Sequence, residues 1–234
     1  MKKSFAFTLA EVLITLGIIG VVAALTLPTV IANYQKQQTV TKLKKAYSIL
    51  GQVMQKSVAD NSSAELGVGD VLNASKVKDF FQTYWFPYFN SPNIYWEHLG
   101  NDFYSFRNGN PINVGIFTSY DFGRVFFTTQ DGVAYYVNIM AWSGSSDSEE
   151  GIGQALFASK QSVYIDINGM KKPNMFGKDV FVFEIDFQNG IVRPNGYYLT
   201  EFTVNKSCNK SGDGAFCAAK IMRDGWKIRN DYPW

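Results

Sequence analysis

The chain has 234 residues, 46% of them hydrophobic and 16% aromatic, with 22 basic residues against 20 acidic ones. That length supplies one core-forming domain plus an extension, and so balanced a charge lacks the basic footprint of a nucleic-acid binder, so no nucleic-acid partner is expected. A single histidine, His98, and two cysteines, Cys208 and Cys217, are too sparse a supply for a His/Cys zinc site.

The first element is an apolar run. No charged residue occurs from Val12 to Gln35, a stretch of 24 residues, and about 20 such residues cross a bilayer core as a helix. Lys2 and Lys3 precede the run, and Glu11 stands at its start. A charged side chain in hydrocarbon costs roughly 2.5–3.5 kcal/mol on insertion scales, so it is kept where it has a partner or a task. Glu11 therefore argues against a secretory signal cut near Ala23-Ala24, and equally against a plain anchor helix. No cysteine lies near the N-terminus to make a lipoprotein, and there is no twin-arginine pair.

The segment Lys2-Lys3-Ser4-Phe5-Ala6, followed by Phe7-Thr8-Leu9-Ala10-Glu11, resembles the class III signal of type IV prepilins and type II secretion pseudopilins. The resemblance implies a leader of residues 1–6, cleavage by prepilin peptidase between Ala6 and Phe7, and N-methylation of Phe7. Ala6 stands where the family usually has Gly, and keeps the small size. Glu11 falls where the family keeps a glutamate, and Pro28 where many members have a helix-kinking proline. Cleavage would create an α-amine at Phe7, one helical turn from Glu11. In a stacked filament, the amine of one subunit can also meet Glu11 of the next, which makes the carboxylate a register mark for assembly. Pro28 removes a helix hydrogen bond, so it either ends the helix or kinks it; the periodicity that resumes beyond it favours a kink.

Beyond the apolar run the pattern becomes a stripe: Val40, Leu43, Tyr47, Leu50, Met54, Val58. That spacing predicts an amphipathic helix, so residues 7–59 read as one spine helix: 7–35 for membrane or filament core, 36–59 amphipathic. Lys42, Lys44, Lys45 and Lys56 lie off the stripe, as a solvated face or as contacts to anionic lipid. Asp60-Asn61-Ser62-Ser63 terminates the helix.

Residues 60–234 form the expected globular domain. Residues 60–111 read as irregular, with a short helix at Ala74–Tyr84 and the aromatic run TYWFPYFNSPNIYWEHL broken by Pro87 and Pro92. The aromatics either pack a core or offer an adhesive, sugar-binding surface; packing is the commoner use. Hairpin signals follow in RVFFTTQDGVAYYVNIM around Asp131-Gly132 and in KDVFVFEIDFQNGIVRPNG around Asn189-Gly190, and SVYIDING is a further strand. The fold class is therefore α+β, with the long N-terminal helix packed across an antiparallel sheet, and the resemblance implies the same pilin-like arrangement.

The stretch YIDINGMKKPNMFGKDVF gathers turn-formers and resembles a connection recurrent in pilin-like proteins of secretion systems. Two readings stay open: an Asx-stabilised loop, or a Ca²⁺ site using Asp166, Asn168 and Asp179, although no EF-hand pattern is present. Otherwise no cofactor is expected. Cys208 and Cys217 bracket a short loop and read as a disulfide if the domain lies outside the cytoplasm, or as two free thiols if it does not; the resemblance implies the disulfide. The tail carrying Trp226 and Trp234 is expected to dock on the sheet.

No Gly-x-Ser-x-Gly, His-Glu-x-x-His or phosphate loop occurs, so an enzyme is not expected. The resemblance implies a structural filament subunit of a type IV pilus or a type II secretion pseudopilus. Its implied partners are prepilin peptidase, other pilin-like subunits, and an inner-membrane assembly platform with its ATPase. Its implied location is the bacterial inner membrane as a single pass, with the C-terminal domain on the periplasmic side, and then the filament. The alternative is a binding or adhesion module at a filament tip or membrane anchor, including a DNA-uptake pilin.

Overall fold

The computed structural model describes residues 8–61, 74–90, 92–95, 104–111, 124–138, 162–186 and 190–234. The chain divides into two compact units, Met1–Gln38 and Thr39–Trp234, and a single helix, α1 (Leu9–Asn61), contributes to both.

In the first unit α1 carries no charged residue from Val12 to Gln35 and is dominated by apolar side chains on every face up to Ile31. Leu13, Ile14, Leu16, Ile18, Ile19, Val21 and Leu25 are all exposed. A helix with no polar face is one that another apolar phase must cover, and α1 is long and apolar enough to cross a membrane. Pro28 lies inside it rather than at its end.

In the second unit the expected stripe is the face that packs. Leu43, Leu50 and Met54 are buried, together with Ala46 and Val53, while Val40, Tyr47 and Val58 are partly covered. Lys42, Lys44 and Lys56 point to solvent, as a solvated face requires. Lys45 reaches Asp131 at 2.9 Å, and that pair is too exposed to contribute more than about 1 kcal/mol.

The sheet has six antiparallel strands in sequence order: β1 (Asn93–Tyr95), β2 (Arg124–Thr128), β3 (Ala134–Asn138), β4 (Ser162–Asp166), β5 (Val180–Asp186) and β6 (Ile191–Pro194). Each strand pairs with its sequence neighbour, so the sheet is a meander with no crossover. The first hairpin forms as the sequence predicts. Thr129 N–H donates to Val133 O, and Gly132 takes the positive φ of 79° that the turn needs. The second joins β5 to β6, and its turn residues 187–189, including Asn189, lie outside the described residues. Gly190 is tightly placed against α1: a Cβ there would sit 3.1 Å from Val58 Cγ2. Pro194 ends an edge strand, where its missing N–H costs no ladder bond.

The period-2 alternation sorts side chains onto two faces. Val125, Phe127, Tyr135, Val137, Val163, Ile165, Phe181, Phe183 and Ile185 share a core with α1. Tyr47 stacks on Phe183 at 5.4 Å, and its hydroxyl donates to Val192 O at 3.3 Å. Phe126, Tyr136, Tyr164, Val180 and Val182 point the other way and form a second core with Tyr104, Phe176, Val204, Phe216 and Ala219. Val204 lies on α3 (Glu201–Ser207) and Ala219 on α4 (Cys217–Arg223). The sheet is thus covered on both sides, which is why all five residues of β4 are buried. The expectation of a helix across a sheet holds, and this second layer is added to it.

One reading of residues 60–111 is revised. Helix α2 (Ala74–Tyr84) has the bounds predicted, but Asn93–Tyr95 is not irregular. It starts one residue past Pro92, and so keeps every donor its pairing with β2 requires. Within the aromatic run the core reading prevails among the described residues. Phe81, Trp85 and Phe89 are buried, with Trp85–Phe89 and Phe89–Phe127 rings 6.2 and 4.9 Å apart. The tail docks as expected: Trp226 and Trp234 pack against the core shared with α1, Trp226 lying 5.4 Å from the Tyr47 ring.

Candidate functional site

The sequence nominates three places: the N-terminal motif, the β4–β5 connection and the cysteine loop.

At the N-terminus, Ala6 and Phe7 lie outside the described residues, and the site opens at Thr8. Thr8 precedes the first residue of α1 and caps it. Its N–H and its hydroxyl both donate to Glu11 Oε2 at 2.8 Å, and Glu11 N–H donates back to Thr8 Oγ1 at 3.3 Å. This reciprocal pair is a capping box, which satisfies donors that a helix N-terminus leaves without intrahelical partners. The Thr-x-x-Glu spacing was readable in the sequence, yet it was subsumed in the processing motif. Glu11 therefore has a partner within its own chain, and only one of its oxygens is engaged there. The negative charge also sits in the first turn of α1, where the helix dipole favours it. Further along, Thr26, two residues before Pro28, donates its Oγ1 hydrogen to Val22 O at 2.9 Å.

The β4–β5 connection brings Asp166, Asn168 and Asp179 together. Asp179 organises it: its carboxylate accepts from Asn168 Nδ2 at 3.1 Å, Asn174 N at 2.9 Å and Met175 N at 2.6 Å. Asn168 N–H donates to Asp166 Oδ1 at 3.2 Å. Asn174 holds φ at 50°, a left-handed conformation that asparagine tolerates better than most residues. Burial, and then the nearby Asp179 charge, push the Asp166 carboxyl up to about 8. Burial also raises Asp179, and the N–H groups that it accepts work against that rise. The connection is pinned from outside. Ser105 N–H donates to Asn174 O and Phe176 N–H to Ser105 O, each at 3.0 Å. Tyr232 Oη donates to Gly177 O, and a Cβ at Gly177 would lie 2.6 Å from Cys217 Sγ, so only glycine fits. Sequence reasoning named Asn174 a turn-former and missed that it belongs to this oxygen cluster.

Cys208 and Cys217 form a disulfide, with Cα atoms 4.9 Å apart. It ties the end of α3 to the start of α4. Inside the loop, Ser207 Oγ donates to Asp213 Oδ1, and Phe216 N–H donates to Ser207 Oγ at 3.1 Å. From within α4, Lys220 Nζ meets Asp231 at 2.6 Å and Asn205 at 3.0 Å, and Arg107 donates to the Pro233 carbonyl. The disulfide, the tail and the β4–β5 connection thus brace one another. Replacing both cysteines by serine is expected to cost about 2.5–3 kcal/mol by the loop-closure relation. Thermal melting followed by circular dichroism should then fall by roughly 5–12 °C, and an unchanged melting point would contradict a stabilising bridge.

Comparison with known families separates the two parts of the chain. Residues 1–27 match the model of the prokaryotic N-terminal methylation motif, and residues 29–234 match that of a family of unknown function, DUF6613. No curated protein and no solved structure matches the chain. The methylation motif is the prepilin-type signal, and it marks the chain as a pilin-like substrate of prepilin peptidase. The motif and the long apolar helix α1 together fit membrane anchoring. Over residues 29–234, behind that prepilin-type segment, the chain belongs to the DUF6613 family.

Proposed function

We propose that this protein is a structural subunit of a type IV pilus-like or type II secretion pseudopilus filament. Prepilin peptidase cuts it between Ala6 and Phe7, Phe7 is N-methylated, and the processed subunit polymerises through α1. Before assembly it crosses the inner membrane once, with Thr39–Trp234 on the periplasmic side. An assembly platform and its ATPase then move it into a filament with other pilin-like subunits.

The observation that carries this reading is the methylation motif placed directly on a helix whose apolar residues are exposed. A cleaved export signal would discard that surface. A filament covers it with the same surface of other subunits. The disulfide supports the periplasmic side, because such bonds persist in oxidising compartments. Within the aromatic run, the burial of Trp85 and Phe89 favours core packing over an adhesive surface.

The test is production of the full chain with and without its prepilin peptidase. With the peptidase, the protein should be shorter by the six-residue leader and should appear in sheared filament fractions. Without it, the chain should stay full-length in the inner membrane. Filaments that form equally well without peptidase would overturn the proposal.

A further inference from the structure

The globular unit leaves large apolar side chains in solvent. Among its described residues these are Met170, Ile191, Tyr197, Tyr198, Leu199 and Phe202. Contacts with α1 show where on the unit they lie. Lys45 meets Asp131 in the β2–β3 turn, Tyr47 bonds to Val192 O, and Gly190 lies against Met54 and Val58. The β2–β3 turn therefore stands at the end where α1 enters the unit, and Gly190 stands at the opposite end. β4 and β6 both run toward the entry end, since each pairs antiparallel with β5 and Asp166 lies opposite Ala134. Met170 follows β4, next to Gly169, which packs against Gly132 of the β2–β3 turn. Tyr197, Tyr198 and Leu199 follow β6, and Phe202 opens α3 directly after them. Every one of the exposed apolar side chains except Ile191 thus belongs to chain that leaves the sheet at the entry end.

The segment after β6 is pinned from behind. Arg223 Nη2 reaches the carbonyl oxygens of Gly196, Tyr197 and Leu199 at 3.1, 2.8 and 2.7 Å. Tyr197 N–H donates to Pro194 O at 3.0 Å and Leu199 N–H to Gly196 O at 3.1 Å. Gly196 packs so closely on Phe216 that a Cβ would lie 2.9 Å from its ring. On this fixed backbone Tyr198 is 69% exposed and Phe202 78%, and a contiguous apolar patch held in solvent marks an interaction surface. Cations frame it. The Arg193 guanidinium carbon lies 5.1 Å from the centre of the Tyr198 ring, and Lys42, Lys44, Lys171 and Lys172 are exposed. No acidic residue occurs between Glu11 and Asp60. Asp131 is engaged by Lys45, which leaves Glu201 as an exposed acid beside Phe202. Aromatic rings with polar tips, set among lysine and arginine, are the side chains that settle at a lipid–water interface.

We infer that the entry end of the globular unit docks on the surface of the bilayer that holds α1. Tyr197, Tyr198, Leu199 and Phe202 enter the headgroup layer, and Lys42, Lys44, Lys171, Lys172 and Arg193 pair with anionic phospholipid. Chain connectivity favours this occupant: residues 32–39 alone separate the apolar stretch ending at Ile31 from the unit, so the shelf is tethered near lipid at high effective concentration. Charge favours it as well. An anionic surface attracts each of these cations, whereas a second copy apposed through the same end would bring like charges together. The inference rests on α1 lying in the membrane, and not on cleavage or polymerisation.

The experiment places the full chain, one copy per disc, in lipid nanodiscs of phosphatidylcholine alone or of phosphatidylcholine mixed equally with phosphatidylglycerol. Hydroxyl-radical footprinting read by mass spectrometry then reports the exposure of each side chain. In the anionic discs, oxidation of Tyr198, Phe202 and Met170 should fall roughly fivefold or more relative to the neutral discs, and high salt should restore it. Ile191, at the opposite end, should be oxidised equally in both. Combining Lys42→Gln, Lys44→Gln, Lys171→Gln and Lys172→Gln should abolish the difference while leaving the melting temperature unchanged, because all four side chains are exposed. Equal footprints of Tyr198 and Phe202 in the two lipids would overturn the inference. So would protection that appears only with two chains per disc, which would make a second copy the occupant. Protection of Leu13 to Leu25 in both lipids reports insertion of α1 separately; its absence would overturn the anchoring, and the docking with it.

Discussion

Replacing Glu11 with alanine is expected to leave the chain inserted in the membrane and cut by the peptidase, yet to remove it from filaments. The loss should exceed tenfold in sheared-filament yield, because a charge pair repeated at every subunit contact acts cooperatively. The capping box complicates this substitution, since Glu11 also accepts the Thr8 N–H and hydroxyl. Losing a helix cap costs about 0.5–2 kcal/mol, so alanine removes both a cap and a charge. Glu11→Gln separates the two: its amide oxygen can still accept from Thr8, but it offers no charge to an amine. Thr8→Ala removes the cap and keeps the carboxylate. If the charge sets assembly, Gln at position 11 should be as defective as alanine, and Thr8→Ala should be milder. A Gln variant that assembles normally would show that Glu11 serves only its own helix.

Truncating Trp85 to alanine is expected to destabilise the globular unit by about 3–5 kcal/mol, or roughly 6–20 °C in melting temperature. The side chain is fully buried and packs between Phe81, at 5.4 Å, and Phe89, at 6.2 Å. Its removal leaves a cavity that stacked rings cannot easily collapse to fill. Were the run an adhesive surface instead, the same truncation would change stability by less than about 0.5 kcal/mol and would act only on ligand retention. Thermal melting therefore discriminates the two uses of one residue.

The sequence signals that survived were those with a fixed period or a fixed turn. The stripe from Val40 to Val58 announced which face of α1 would pack, because a 3.6-residue period admits one solution. Asp131-Gly132 announced a hairpin, because its geometry needs a positive φ. The second face of the sheet was also present in the sequence, in AYYV and VFVF, where apolar residues run on without alternation; such runs mark strands covered on both sides. It was passed over because nothing local says which distant segments supply the cover. Here they are the loop around Tyr104 and Phe176 and the short helices α3 and α4, and helices of seven residues have no periodicity to read. β1 was missed because three residues beside a proline carry too little pattern. At the β4–β5 connection the residue types were legible, but the burial of Asp166 and Asn174 was not. Burial is what turns a set of turn-formers into a hydrogen-bonded oxygen cluster held inside the fold.

The central claim rests on the fate of the first six residues. Intact-mass and N-terminal peptide mass spectrometry of the protein purified from membranes and from filaments measures that fate directly. The account predicts a mature chain beginning at N-methylated Phe7, with residues 1–6 gone and Glu11 retained. A chain that still begins at Met1, or one cut near Ala24, would contradict it.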